Sequence, residues 1–171
     1  MKTIKMYHSG ILFFFGSVLI ISMLFSGCGD DDDAGDQQSL YQKLGERAGI
    51  ESAVEKSILA IASDPDLTPF FAVLLQDENG EGPGLEALKD NIADFIDEAS
   101  GGNATYSGLS MQAAHAATNP RMANTENITN ATYDSFLDAM ISGAKQAGIS
   151  NESILSEYRN LLEQSRSSIV P

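Results

Sequence analysis

The chain has 171 residues and carries 24 acidic side chains against 10 basic ones, a net charge of −14. So acidic a surface argues against nucleic acid and anionic lipid as partners. The single cysteine, Cys28, excludes a disulfide within the chain and any cysteine-based metal or redox cluster.

Lys2 and Lys5 open the chain, and an apolar stretch from Ile11 to Phe25 follows, interrupted by Gly16, Ser17 and Ser22. That stretch is short for a membrane span, which needs about 20 apolar residues. It runs into Leu24-Phe25-Ser26-Gly27-Cys28, which resembles a bacterial lipobox, although Phe25 is an unusual residue in that motif. The pattern predicts a lipoprotein signal peptide over residues 1–27, cut before an acylated Cys28. An ordinary membrane anchor with an incidental cysteine is the alternative. Two or more acyl chains anchor stably where one does not. The expected location is extracytoplasmic, lipid-anchored to a bacterial membrane on its periplasmic side. Without Lys2 and Lys5, eight basic residues face 24 acidic ones, a net charge of −16. Asp30 to Asp33 and Asp36 lack the ordered spacing of a calcium loop. Residues 28–38 therefore read as a solvated acidic linker, which leaves residues 39–171 for one compact domain.

Within that domain the apolar periodicity is helical. Leu40, Tyr41 and Leu44 predict a short first helix ended by Gly45. Ile50, Val54, Ile58, Ile61 and Ala62 predict a second, closing near Ser63, and Asp64-Pro65-Asp66 marks a turn before Pro69, Phe70 and Phe71. Gln76 to Gly84 is polar and glycine-rich, a predicted loop. Leu85, Leu88, Ile92, Phe95 and Ile96 form the next stripe, which Gly101-Gly102 ends. A short alanine-rich helix is expected over 111–117, and Asn119 to Thr129 reads as a loop. Thr129 is a credible N-cap for a helix carrying Tyr133, Phe136, Leu137, Met140 and Ile141. Gly148 stops it, and Ser150 or Asn151 caps a last helix with Ile154, Leu155, Tyr158, Leu161 and Leu162 on its buried face. The expected class is all-α, a single domain of about six helices.

His115 is the one histidine of this domain. A lone imidazole is a satisfied core residue, a surface accident or the axial ligand of a haem iron. Four segments bear on the choice: Leu40-Tyr41-Gln42-Lys43-Leu44-Gly45, Asp64 to Phe71, Gly101 to His115 without a gap, and Ile128 to Phe136. In that order they resemble the opening, the junction after the second helix, the double-glycine turn with its short proximal helix, and the start of the following helix of the truncated haemoglobins. The likeness is greatest to the first group of that family and covers roughly Leu40 to Val170. It implies a truncated globin, a two-over-two helical sandwich holding haem b.

Carried over position by position, the resemblance makes His115 the proximal iron ligand. It makes Phe71 the aromatic packed on the haem face, Tyr106 a neighbour of a propionate and Met111 part of the proximal wall. Phe71 and Met111 are equally natural core residues, and Tyr106 an ordinary tyrosine beside a helix. The departures bear on function. Where relatives carry phenylalanine and tyrosine on the second helix this chain has Ser57-Ile58, and where they add polar groups from the distal helix it has Leu88 and Ile92. A distal pocket of Ile58, Leu88, Ile92 and Phe95 offers no hydrogen-bond donor, and Ser57 would supply one only with the helix rotated by one position. A donor in a dry pocket contributes about 1.5–3 kcal/mol to a charged acceptor, so weak oxygen retention is expected beside ordinary binding of carbon monoxide and nitric oxide. Gln76 to Gly84 and Asn119 to Asn127 lengthen two loops relative to the family. One histidine excludes bis-histidine iron, so a second axial ligand would be Lys89 or a methionine.

Three functions compete. The first is reversible binding of O2, NO or CO by a haem protein at an extracytoplasmic membrane surface. The second is a haem enzyme, a nitric oxide dioxygenase or peroxidase, which needs an electron donor that the sequence does not identify. The third is a globin-shaped lipoprotein without haem that acts as an interaction module. No nucleophile sits in a recognisable turn for a serine–histidine–acid triad.

Overall fold

A computed structural model describes residues 38–77 and 84–171, and every described element is helical. The segment read as a signal peptide, Cys28, nearly all of the expected acidic linker and the middle of the 76–84 loop lie outside the described residues. No described helix is long and apolar enough to cross a membrane.

The helices begin where side chains can satisfy the first free amide groups. Ser39 and Gln42 form a reciprocal capping box at α1 (Leu40–Lys43). Gly45 takes a left-handed conformation and launches α2 (Glu46–Ser63). A short 3-10 turn at Thr68–Phe70 leads into α3 (Ala72–Asp77), a helix not expected from the sequence. The long α4 (Gly84–Ser100) follows, then the one-turn α5 (Met111–Ala114), shorter than expected because His115 is already its C-cap. Thr129 caps α6 (Asn130–Gln146), and Asn151 rather than Ser150 caps α7 (Glu152–Glu163). A last turn, α8 (Arg166–Ile169), closes the described chain.

The apolar stripes then decide the packing. α2 lies most extensively against α6 and next against α4, while α6 pairs with α7. The core between them is built from Ile50, Val54 and Ile58 of α2, Ala93 and Ile96 of α4, Leu137 and Met140 of α6, and Leu155 and Tyr158 of α7. The α2–α6 contact is unusually close. Ser57 Oγ donates to the Ala53 carbonyl at 2.8 Å and lies 3.3 Å from that of Met140. A Cβ at Gly143 would collide with Ser57 Oγ and with the backbone of Ala53 and Ser57, so only glycine allows the approach.

At the far end Arg166 ties α8 to α6, pairing with Asp134 at 2.6 Å and Glu163 at 2.5 Å and stacking 4.5 Å from the Tyr133 ring centre. Those carboxylates, Glu163 first, hold the guanidinium pKa above its ordinary value. Burial, helped by Glu163, pushes the Tyr133 phenol up to about 12.

Tyr158 is 1 % exposed, and its hydroxyl meets no hydrogen-bond partner among the described residues. Burial raises its pKa above 10. The phenol therefore stays neutral in the fold while the unfolded chain ionises, and stability falls as pH rises past about 10. Tyr158→Phe removes the stranded hydroxyl. It is expected to raise the unfolding free energy by about 1 kcal/mol at neutral pH and to flatten the alkaline decline. Urea unfolding at pH 7 and pH 11 measures both, and a less stable variant would show that the hydroxyl is bonded.

Candidate functional site

The path to His115 is fixed from the end of α4. Gly101 turns the chain at φ 93°, and Gly102 leaves no room for a Cβ against the Asp97 carboxylate and the Tyr41 ring. Asp97, 3 % exposed, accepts from the Ala104 amide at 2.9 Å and lies 3.8 Å from the Arg47 guanidinium, so its burial is compensated. Glu98 accepts from the Tyr106 amide at 2.8 Å. The Tyr106 ring meets Phe95 edge-on at 5.8 Å and lies over Gly108, while its hydroxyl donates to the Leu109 carbonyl at 2.6 Å. Ser110 then caps α5, accepting from the Ala113 amide.

His115 follows at the end of that single turn, half-buried. Its Nδ1 lies 2.8 Å from the Met111 carbonyl oxygen. A carbonyl cannot donate, so this bond assigns the proton to Nδ1 and leaves the Nε2 lone pair available. Burial lowers the ring's pKa below its ordinary 6.5, only partly opposed by the Met111 carbonyl, and keeps the imidazole neutral at neutral pH. A neutral ring with one nitrogen oriented by a backbone carbonyl is the form in which histidine ligates metals.

The ring lines a cavity of about 510 Å³. Seven of the residues singled out from the sequence meet there: Phe71, Leu88, Ile92, Phe95, Tyr106, Met111 and His115. Ile58 does not join them. It is 7 % exposed and packs in the core, and α2 contributes no residue to the lining. The segment after α2 lines the cavity instead, through Leu67, Phe70, Phe71 and Leu74. Ser57 is also turned away from the cavity, against α6, because its hydroxyl answers the Ala53 carbonyl in that contact. Lys89 pairs with Glu86 at 2.7 Å and is not a lining residue either, whereas Met111 and Met122 are.

Several lining residues were not expected. Tyr133 and Phe136 of α6 looked like core positions in a helical stripe, and part of the stripe faces the cavity instead. Asn119, Arg121 and Met122 come from the 119–127 loop, whose polar composition gave no sign of a structural role. The polar side chains of the wall are largely committed to carbonyls. Tyr133 donates to Leu162 at 2.7 Å, Asn91 to Ala87 at 2.7 Å and Tyr106 to Leu109. Among the described residues no cluster of three or more His, Cys, Asp or Glu assembles to hold a metal ion. The arrangement is a single neutral nitrogen donor in a mostly apolar cavity.

No protein-family model matches the chain. No curated protein matches it either. Solved structures do. A truncated haemoglobin from Tetrahymena pyriformis in its Fe(III) form superposes with a TM-score of 0.62 at 20 % identity, over 78 % of this chain and 98 % of that one. The 2/2 haemoglobin of Synechococcus sp. PCC 7002, in the cyanomet state with covalently attached haem, gives 0.61 at 23 % identity, again over 78 % and 98 %. This likeness establishes the fold as that of a truncated globin, with α2 packed on α6 and on α4, and α6 on α7.

Proposed function

We propose that this chain is a haem protein that binds diatomic gases reversibly while tethered through Cys28 to a bacterial membrane, on its extracytoplasmic, periplasmic side. One observation carries the reading: the neutral His115 ring, oriented by Met111, at the wall of an apolar cavity within a truncated-globin fold. The cavity volume lies within the roughly 300–1,000 Å³ of small-molecule and cofactor sites. A haem seated there supplies iron with a coordination position for a small gas. The chain's own residues bind and shield it. His115 offers Nε2, Phe71, Leu88, Ile92 and Phe95 exclude water, and Met111 packs beside the histidine. Residues 38–171 contain no cysteine and no second histidine, so neither a thiol nor another imidazole is present there to bond the ring covalently. This supports a non-covalently held haem b.

Haemin added to the purified protein is expected to give haem absorption bands that shift on reduction and again with carbon monoxide. His115→Ala should lose them while keeping its helical circular dichroism, and added imidazole should restore them. A wild-type protein that takes up no haemin would overturn the proposal in favour of an interaction module.

The wall also favours discrimination among gases. If haem is held here, retention of dioxygen would depend on a nearby hydrogen-bond donor, and that of carbon monoxide far less. Leu88 and Ile92 of α4 offer none, α2 is withdrawn from the cavity, and the Asn91 amide is engaged with Ala87. Oxygen should therefore leave quickly. Leu88→Gln introduces a donor and is expected to slow oxygen release roughly ten-fold or more, with little change for carbon monoxide. Stopped-flow off-rates for both gases test this, and slow oxygen release from the unaltered protein would contradict it.

The membrane tether rests on the apolar segment before Cys28 and the acidic spacer after it. Replacing Cys28 by serine should move the protein from the membrane to the soluble fraction. Unchanged fractionation would dismiss acylation at this residue.

A further inference from the structure

We propose that α8 is a clasp that closes the cavity beside the turn ending in His115, and that Arg166 is the positioning residue that latches it. The clasp shuts the same cavity whatever ligand occupies it, so it stands apart from the haem reading.

Two wall residues come from this end of the chain: Ile169 of α8 and Ser165, its N-cap. α8 packs against α5, so Ile169 and His115 line the cavity from neighbouring turns. By itself α8 is poorly fitted to hold that place. Four residues complete little more than one turn, too few for a helix to persist without packing. Ser165 gives no side-chain cap, and none of the four residues is buried. Ile169 and the following Val170 cover the core only in part. An element with so little apolar burial opens at low free-energy cost unless something else fastens it.

Arg166 supplies the fastening. Its Nη1 donates to the Asn130 carbonyl at 3.1 Å and to the Asn130 side-chain oxygen at 3.3 Å. Its Nη2 donates to Asp134 at 2.6 Å and to Glu163 at 2.8 Å, and its Nε to Glu163 at 2.5 Å. One guanidinium thereby joins α8 to the first turns of α6 and to the end of α7. A rigid fork engaged at all three nitrogens outweighs an isolated surface pair. The Tyr133 ring under this guanidinium is itself a wall residue, and its hydroxyl donates to the carbonyl of Leu162, another one. Latch and wall therefore share a side chain. The side chain of Arg166 is 20 % exposed and those of Asp134 and Glu163 are 57 % and 44 % exposed, so water can compete for these bonds and the latch can open.

The test uses the purified protein without added ligand, its Arg166→Met and Arg166→Lys variants, and Arg159→Met as control. Arg159 pairs with Asp138 at 2.7 Å between α7 and α6, and neither residue lines the cavity. Carbethoxylation of His115 by diethyl pyrocarbonate, read by mass spectrometry, reports access to the ring. Amide hydrogen exchange reports local opening. Arg166→Met should speed both the modification of His115 and the exchange of the Ala114, His115 and Val170 amides roughly five-fold. The Leu137 and Met140 amides of α6 should keep their rate. Arg166→Lys should fall in between, and Arg159→Met should match the unaltered protein. Ile169→Ala leaves the latch and shrinks the apolar seat, so it should act in the same direction. Unchanged modification of His115 in Arg166→Met would overturn the inference. Equal acceleration of the α6 core amides would also overturn it, because the arginine would then only stabilise the fold. The same gain from Arg159→Met would do so too.

Discussion

The site depends on one hydrogen bond, from His115 Nδ1 to the carbonyl of Met111 on a helix of a single turn. The last carbonyls of a helix lack amide partners within it. The Met111 oxygen accepts both the His115 backbone amide at 3.2 Å and the imidazole. That double use orients the ring, and burial keeps it neutral. A longer α5 would carry residue 115 inside the helix and change the direction of its side chain. The turn is short because the Tyr106–Ser110 segment is already fixed, by Glu98, by the Tyr106–Leu109 contact and by the Ser110 cap. Behind these stands Asp97, a buried carboxylate that ties the turn after α4 to Arg47 of α2.

A second constraint acts through α2. The close approach at Ser57 and Gly143 draws this helix onto α6 and commits its buried face to the core. The same rotation that sinks Ile58 into the core turns Ser57 toward the Ala53 and Met140 carbonyls. No side chain of α2 then reaches the cavity, and the residues that follow it do. The apolar character of that side of the cavity thus follows from helix packing.

The long helices were legible because their apolar residues recur at helical spacing and their ends carry strong signals, as with Ser39, Thr129 and Gly148. The likeness of Gly101 to His115 to the family's proximal segment singled out His115, and the structure sets it on the wall of one cavity with Phe71, Leu88, Ile92 and Met111. Other features were hidden for physical reasons. Helices α3 and α8 have six and four residues, too few to show a period. Ile58 was misplaced because a buried isoleucine has the same sequence signature whether it faces a neighbouring helix or a cavity. Tyr133 and Phe136 were hidden in the converse way, since a wide apolar stripe serves both a core and a pocket. The resemblance sets Tyr106 near a propionate, and in the structure Tyr106 lines the cavity with its hydroxyl donating to the Leu109 carbonyl.

The 119–127 loop was the least legible part. Polar insertions are usually tolerated extensions, since lengthening a surface loop adds only a slowly growing closure entropy. Nothing in the composition of such a loop distinguishes a passive extension from a wall, because the difference lies in what its backbone meets. Here Asn119 folds the loop onto the end of α5, and Ala123 and Asn124 reach the 3-10 turn that leads to α3. The loop thereby spans two elements that both line the cavity. Its closure adds Asn119, Arg121 and Met122 to the cavity wall.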